Sequence, residues 1–220
     1  MAVSSTFDVQ PIEENTMTLV TWITVVSICV LGAMSPGPSL ALVLRQTLGG
    51  GRRQGMTVAL MHGLGIGLYA LLSLLGLVAV ITASPIAFNV LQWGGAAYLA
   101  WLGVKGLTAS HREAVVEAVP SAGSAARDGF LVVFLNPKIA VFFIALFSQV
   151  VGVDTSFSAK LGYAVTAMVI DASWYALVAW LFSSPRWLAC LQRYSVIIER
   201  LFGVVLLGLA GRLAVGFFKS

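Results

Sequence analysis

Charge is the scarcest commodity in this 220-residue chain: Asp, Glu, Lys and Arg together make up 10% of it, against about a quarter in an ordinary soluble domain. A soluble fold of this size has too little core to hide the remainder, which is 59% hydrophobic with a mean hydropathy of +0.94. Cysteine is almost absent. Cys29 and Cys190 stand too far apart for a zinc or redox motif, and Cys29, inside an apolar run, reads as a buried structural thiol. Histidine is equally rare, so the span interiors carry no Cys/His ligand cluster of the kind metals need. There is no HExxH, no phosphate-binding glycine loop and no GxSxG elbow, so the chain does not read as an enzyme and no cofactor is expected. The net charge of +4 forms no basic stripe, which argues against nucleic acid as a partner. No basic segment precedes the first apolar run, so the first span is expected to act as its own insertion signal.

What the chain does have is long apolar runs. A helical crossing of the bilayer takes about 20 apolar residues, and the runs fit about six crossings. Helix 1 is expected from Thr18 to Leu48, helix 2 from Gly55 to Thr82, helix 3 from the Ser84-Pro85 turn to Leu107, helix 4 from Asp128 to Val151, helix 5 from Phe157 to Phe182 and helix 6 from Tyr194 to Phe218. A polar extension, 1–17, precedes them, and a polar linker, 108–127, divides 18–107 from 128–220. Lys and Arg gather on one side. Nine lie in the connections after helices 1, 3 and 5: Arg45, Arg52, Arg53, Lys105, Arg112, Arg127, Arg186, Arg193 and Arg200. Only Lys160, Arg212 and Lys219 lie on the other. The odd-numbered loops, the linker among them, are therefore expected in the cytoplasm and both termini outside.

That topology sets helices 1–3 and 4–6 in opposite directions across the membrane. The halves also correspond in pattern. Each begins with a proline-interrupted helix, at Ser35-Pro36-Gly37-Pro38 and at Asn136-Pro137-Lys138, and each continues with a helix carrying Tyr-Ala-Leu, from Tyr69 and from Tyr175. Inverted repeats with paired broken helices are a sign of secondary transporters. Proline removes a backbone donor and clashes with the preceding turn. Helix 1, roughly 46 Å long if fully helical, is also longer than the about 30 Å of hydrocarbon requires, so it is expected to bend or unwind near Gly37. Pro38 suits the first position of a new half-helix, and Asn136 can cap another that begins at Pro137. Two half-helix N-termini facing a cavity would receive a carboxylate; each break alone could equally be a proline kink.

Ionisable side chains at membrane depth are expensive and seldom face lipid. Lys138 and Asp171 fall near mid-membrane and are expected to share a polar interior, either as a static pair or with Asp171 exchanging a proton or holding a substrate ammonium. His62, followed by Gly63, Gly65 and Gly67, could join a proton relay or be a hydrogen-bonded packing residue. Gln149 either lines a pathway or marks the end of helix 4. The glycine faces suit packing within the chain or a homodimer contact.

These residues resemble the LysE/RhtB family of amino-acid exporters. The resemblance rests on Ser35-Pro36-Gly37-Pro38 with Val43-Leu44-Arg45-Gln46 and Gly50-Gly51-Arg52-Arg53-Gln54-Gly55, on Gly94 through Gly103, and on Leu135-Asn136-Pro137-Lys138 with Phe142-Phe143, Ala145-Leu146 and Gln149. Ser39 stands where many relatives place Asn or Asp, and Ser148 where proline is usual. The resemblance implies an all-α inner-membrane protein that exports amino acids under the proton motive force. Its motifs look closer to the RhtB branch, which handles neutral substrates such as homoserine, threonine and leucine. The expected site is Pro36, Gly37, Pro38, Ser39, Asn136, Pro137, Lys138 and Asp171, with His62 and Gln149 along the proton or substrate pathway. Export of a metal ion or another small solute, and a non-transporting membrane scaffold, are the alternatives.

Overall fold

The computed structural model describes residues 19–108, 124–148, 150–183 and, toward the C-terminus, 194, 196, 197, 200, 201, 203–208, 210 and 211. The polar extension, most of the linker, Gln149 and much of helix 6 lie outside them. The described residues are all-α. The helices are α1 (Leu19–Met34), α2 (Pro38–Ala83), α3 (Pro85–Leu107), α4 (Ala125–Leu135), α5 (Pro137–Phe147) and α6 (Phe157–Leu181). The C-terminal residues assigned a conformation, between Tyr194 and Gly211, are also helical.

α2 is two limbs folded back on each other. Gly51 is its one non-helical residue, at φ 76° and ψ 175°, a left-handed φ that glycine adopts without a Cβ clash. Residues 39 and 62, on either side, would stand roughly 35 Å apart in an unbroken helix. Instead the His62 ring bonds the Ser39 hydroxyl at 2.8 Å. Nearer the turn, a Cβ on Gly55 would come within 2.0 Å of the Thr47 hydroxyl, so the limbs touch there as well. The turn expected over several residues thus contracts to one glycine.

Other ends also differ from expectation for local reasons. α4 begins inside the expected linker because the Ser124 hydroxyl accepts the Arg127 N–H at 3.2 Å, and Asp128 in the first turn favours the helix dipole. α5 stops at Phe147, short of Val151, where a turn closes by Gly152 N–H bonding the Thr155 hydroxyl at 2.9 Å.

α2 and α6 are long and apolar enough to cross a membrane, and α4 with α5 qualifies as one span bent by 57° at Asn136. The outward faces carry exposed Leu64, Leu68, Leu72, Val165, Val169 and Trp180, a surface suited to lipid. Bilayer tails are as apolar as leucine, so helix packing here relies on close contact and buried polar bonds. α2 packs on α6 and α4, α1 on α6, and α3 on α5. Glycines set the closest approaches. A Cβ on Gly63 would lie 2.5 Å from that of Ala172, and one on Gly67 would lie 3.0 Å from that of Met168, both on α6. Gly65, between them, faces Val133 on α4. The Gly63/Gly67 stripe is therefore used within the chain. Gly103 and Gly203 meet in the same way, a Cβ on Gly203 lying 2.6 Å from the Gly103 carbonyl.

Candidate functional site

Each interruption is a local consequence of its residues. α1 ends at Met34, and Pro36 cannot continue it. Gly37, extended at φ 174° and ψ −171°, leads into α2 with Pro38 in its first turn and no side chain capping its N-terminus. The first helical bond of α2 runs from Ala41 N–H to the Gly37 carbonyl at 3.0 Å. At the second interruption Asn136 alone is non-helical, and its side-chain oxygen accepts the Lys138 N–H at 3.1 Å. The cap and the proline at the first turn of α5 stand as the sequence led one to expect.

The two interruptions meet. The Lys138 ammonium donates to the Ser35 hydroxyl and, at 3.2 Å, to the Pro36 carbonyl. An ideal Cβ on Gly37 would sit 3.7 Å from the same nitrogen. The lysine side chain thus joins the two interruptions, which lie in different halves of the sequence.

Below this junction lies a buried polar chain. Asp171 Oδ2 is 2.6 Å from His62 Nδ1, and His62 Nε2 is 2.8 Å from Ser39 Oγ. All three residues are buried, His62 to 1% exposure. With Asp171 ionised, Nδ1–H donates to the carboxylate and Nε2 is left to accept the Ser39 proton. Tyr175 packs edge-on to the His62 ring, centroids 4.9 Å apart. The order hydroxyl, imidazole, carboxylate is the one that moves a proton in hydrolase triads. Here both ring nitrogens of His62 are held by hydrogen bonds, which fixes the tautomer and orientation of the imidazole. Removing one partner of this buried bond would leave the other unsatisfied, typically at a cost of about 1–3 kcal/mol or more.

Lys138 and Asp171 therefore share a cavity without being directly paired: the carboxylate is bonded to His62 and the ammonium to the first break. Depth along the helices brought them to one level, but the facing direction of each side chain assigned different partners. The cavity holds about 560 Å³ of empty space, counted with its open mouth and the solvent there. Ser35, Gly37, Ser39, His62, Asn136, Lys138, Asp171 and Tyr175 supply its polar lining, and Gly32, Ala33, Ile66, Ile139, Phe142 and Phe143 most of its apolar wall.

Of the residues expected in the site, Gly37, Ser39, His62, Asn136, Lys138 and Asp171 line this cavity. Pro36 takes part through its carbonyl. Pro38 and Pro137 start their helices with exposed rings, outside the lining. Gln149 lies outside the described residues. Sequence reasoning missed Ser35 and Tyr175 as lining residues. Tyr175 lies one turn from Asp171 on α6, and that i, i+4 spacing was the available signal.

A broken-helix cavity with opposite charges at its centre, in a chain of apolar helices, defines a multi-pass membrane protein built to hold a small polar solute. A family model described as LysE type translocator matches residues 30–216, and the chain belongs to that family. It is 29% identical over 205 residues to the threonine efflux protein of Escherichia coli (strain K12), covering 90% of this chain and 96% of the relative. It is 27% identical over 186 residues to the leucine efflux protein of Klebsiella pneumoniae, covering 81% and 87%. No solved structure matches the chain.

Proposed function

We propose that the chain is a secondary transporter of the cell inner membrane that exports amino acids, neutral ones such as threonine, leucine or homoserine, in exchange for protons. The observation that carries this reading is the junction itself: two helix interruptions joined by Lys138, directly over the Ser39–His62–Asp171 chain, in one cavity. The family and the printed functions of the threonine and leucine relatives support the substrate class.

The chemistry follows from the lining. An amino acid presents a carboxylate, an ammonium and a side chain. The carboxylate suits the Lys138 ammonium and the uncapped N-terminus of α2, whose free N–H groups and dipole favour an anion. The ammonium suits Asp171. A neutral side chain suits the wall of Gly32, Ile66, Phe142 and Phe143, where no further charge is available to a second cationic group. A proton arriving at Asp171, directly or through Ser39 and His62, neutralises the carboxylate and weakens its hold on the ammonium. Proton entry and substrate release are linked in this way at one residue.

The packing suits two inverted halves. The second helix of each half lies on the broken helix of the other: α6 on α1 and the first limb of α2, and the second limb of α2 on α4. We take both termini to be periplasmic, from the distribution of Lys and Arg.

Expression in a strain sensitive to a threonine or leucine analogue tests the reading. Export predicts a raised tolerance and a lowered intracellular level of the matching amino acid. Asp171→Asn, present in the membrane at wild-type amount, is expected to lose both effects. Metabolite levels indifferent to the protein across all amino acids would defeat the proposal.

A further inference from the structure

The cavity is one-sided. Its apolar wall comes from α1 ahead of the first break, from α5 beyond the second, from Ile66 past His62 on α2, and from Ala167 ahead of Asp171 on α6. By chain direction all of these lie away from the Gly51 turn. On the turn side of Ser39 and Tyr175 the elements close on a second apolar cluster that includes Val43, Leu44, Val58, Val178 and Phe182. That end is also tied: the Arg52 guanidinium donates to the Ser183 hydroxyl at 3.0 Å and sits 5.8 Å from the Trp180 ring centre.

Inside this closed end is Gln46. It is 5% exposed, and its side-chain amide nitrogen has no hydrogen-bond partner among the described residues. A buried donor left unpaired is costly, and a leucine or methionine would fill the same volume without that cost. Gln46 continues the face of α2 that starts at Ser39 on the cavity floor and passes through Val43, at i, i+4 and i+7 spacing. A second donor with no hydrogen-bond partner among the described residues, the Trp174 indole nitrogen, stands on α6 and packs against the same cluster.

We propose that Gln46 lines the cytoplasmic leg of the transport pathway, and that this structure holds that leg shut. When the first limb of α2 and α6 part, the Gln46 amide meets water and the carboxylate of an amino acid moving up to Lys138. The inference rests on the exporter reading for its cargo, but not for the existence of the leg.

Thiol labelling tests it in a Cys29→Ser, Cys190→Ser background. Everted membrane vesicles are treated with a membrane-impermeant maleimide, with and without threonine or leucine. Gln46→Cys is expected to react at least tenfold faster than Leu74→Cys, a fully buried core position, and to slow at least threefold in the presence of the amino acid. Val43→Cys, which loses no polar group, serves if Gln46→Cys fails to reach the membrane. Gln46→Leu is expected to lower export at least fivefold at unchanged protein amount. Labelling no faster than at Leu74→Cys, or wild-type export by Gln46→Leu, overturns the proposal. Fast labelling unaffected by either amino acid, with no counterflow of them by the wild-type chain, would keep the leg and defeat the cargo reading.

Discussion

At the second interruption one residue, Asn136, ends α4 and caps α5 with its own side chain. At the first, Ser35, Pro36 and Gly37 separate two helices, and no side chain caps the one that follows. The second break is self-sufficient: it supplies its own acceptor and holds Lys138 at a fixed helix start. The first depends on its neighbour, since the Ser35 hydroxyl and the Pro36 carbonyl find their donor in Lys138 from the other half. A carboxylate competing for that ammonium would therefore loosen the first break and leave the second intact. The two breaks look alike as sequence but are built differently, one capped by its own side chain and the other held by the lysine of its neighbour.

The largest effect is expected at Lys138. Lys138→Met should lower export more than tenfold and leave the first break without its partner, while Lys138→Arg should retain part of the activity, because a guanidinium also donates to a hydroxyl and a carbonyl. Radiolabelled amino-acid efflux from cells with matched protein amounts measures both. Next in size is Asn136→Ala, which removes the cap of α5, typically worth about 1 kcal/mol. It should lower the thermal midpoint in detergent and reduce export several-fold, with Asn136→Asp closer to wild type. Ser35→Ala removes one acceptor for Lys138 and should cost about two- to threefold in export. Gly37→Ala should do least. Its φ of 174° is open to any residue, and its Cβ would make an ordinary contact with the Lys138 ammonium at 3.7 Å. If Gly37→Ala proved as damaging as Lys138→Met, the first break would be the rigid element and the comparison would be reversed.

Much of this was legible in the sequence wherever the signal is local. Proline, asparagine and serine at helix starts act within a turn, so both interruptions, the cap at Asn136 and the helix start at Pro137 could be read directly. Apolar runs and Lys/Arg bias likewise gave the all-α membrane character. The site's wiring was less legible. Counting residues fixes a side chain's depth in a helix but not its direction, and by depth alone Asp171 and Lys138 made a pair. Direction is set by the glycine contacts of α2: Gly63 and Gly67 press on α6, which turns His62 toward Asp171 and Tyr175. That contact joins residues more than a hundred positions apart, so no local pattern announces it. The one-residue reversal at Gly51 was hidden for a different reason, because a glycine-rich, Arg-rich stretch is equally compatible with a longer loop.

The central claim is that Asp171, held by His62 beneath the joined breaks, links proton entry to amino-acid export. Purified protein in liposomes loaded with threonine or leucine, whichever the cell assay identifies, allows proton-driven transport and simple exchange to be measured on one sample. For the wild type an imposed pH gradient should drive accumulation of the amino acid on the expected side. For Asp171→Asn the gradient should have no effect, while exchange of labelled for unlabelled amino acid continues only at raised amino-acid concentration, because Asn holds the ammonium less well. An Asp171→Asn protein that still follows the pH gradient at the wild-type rate would contradict the account.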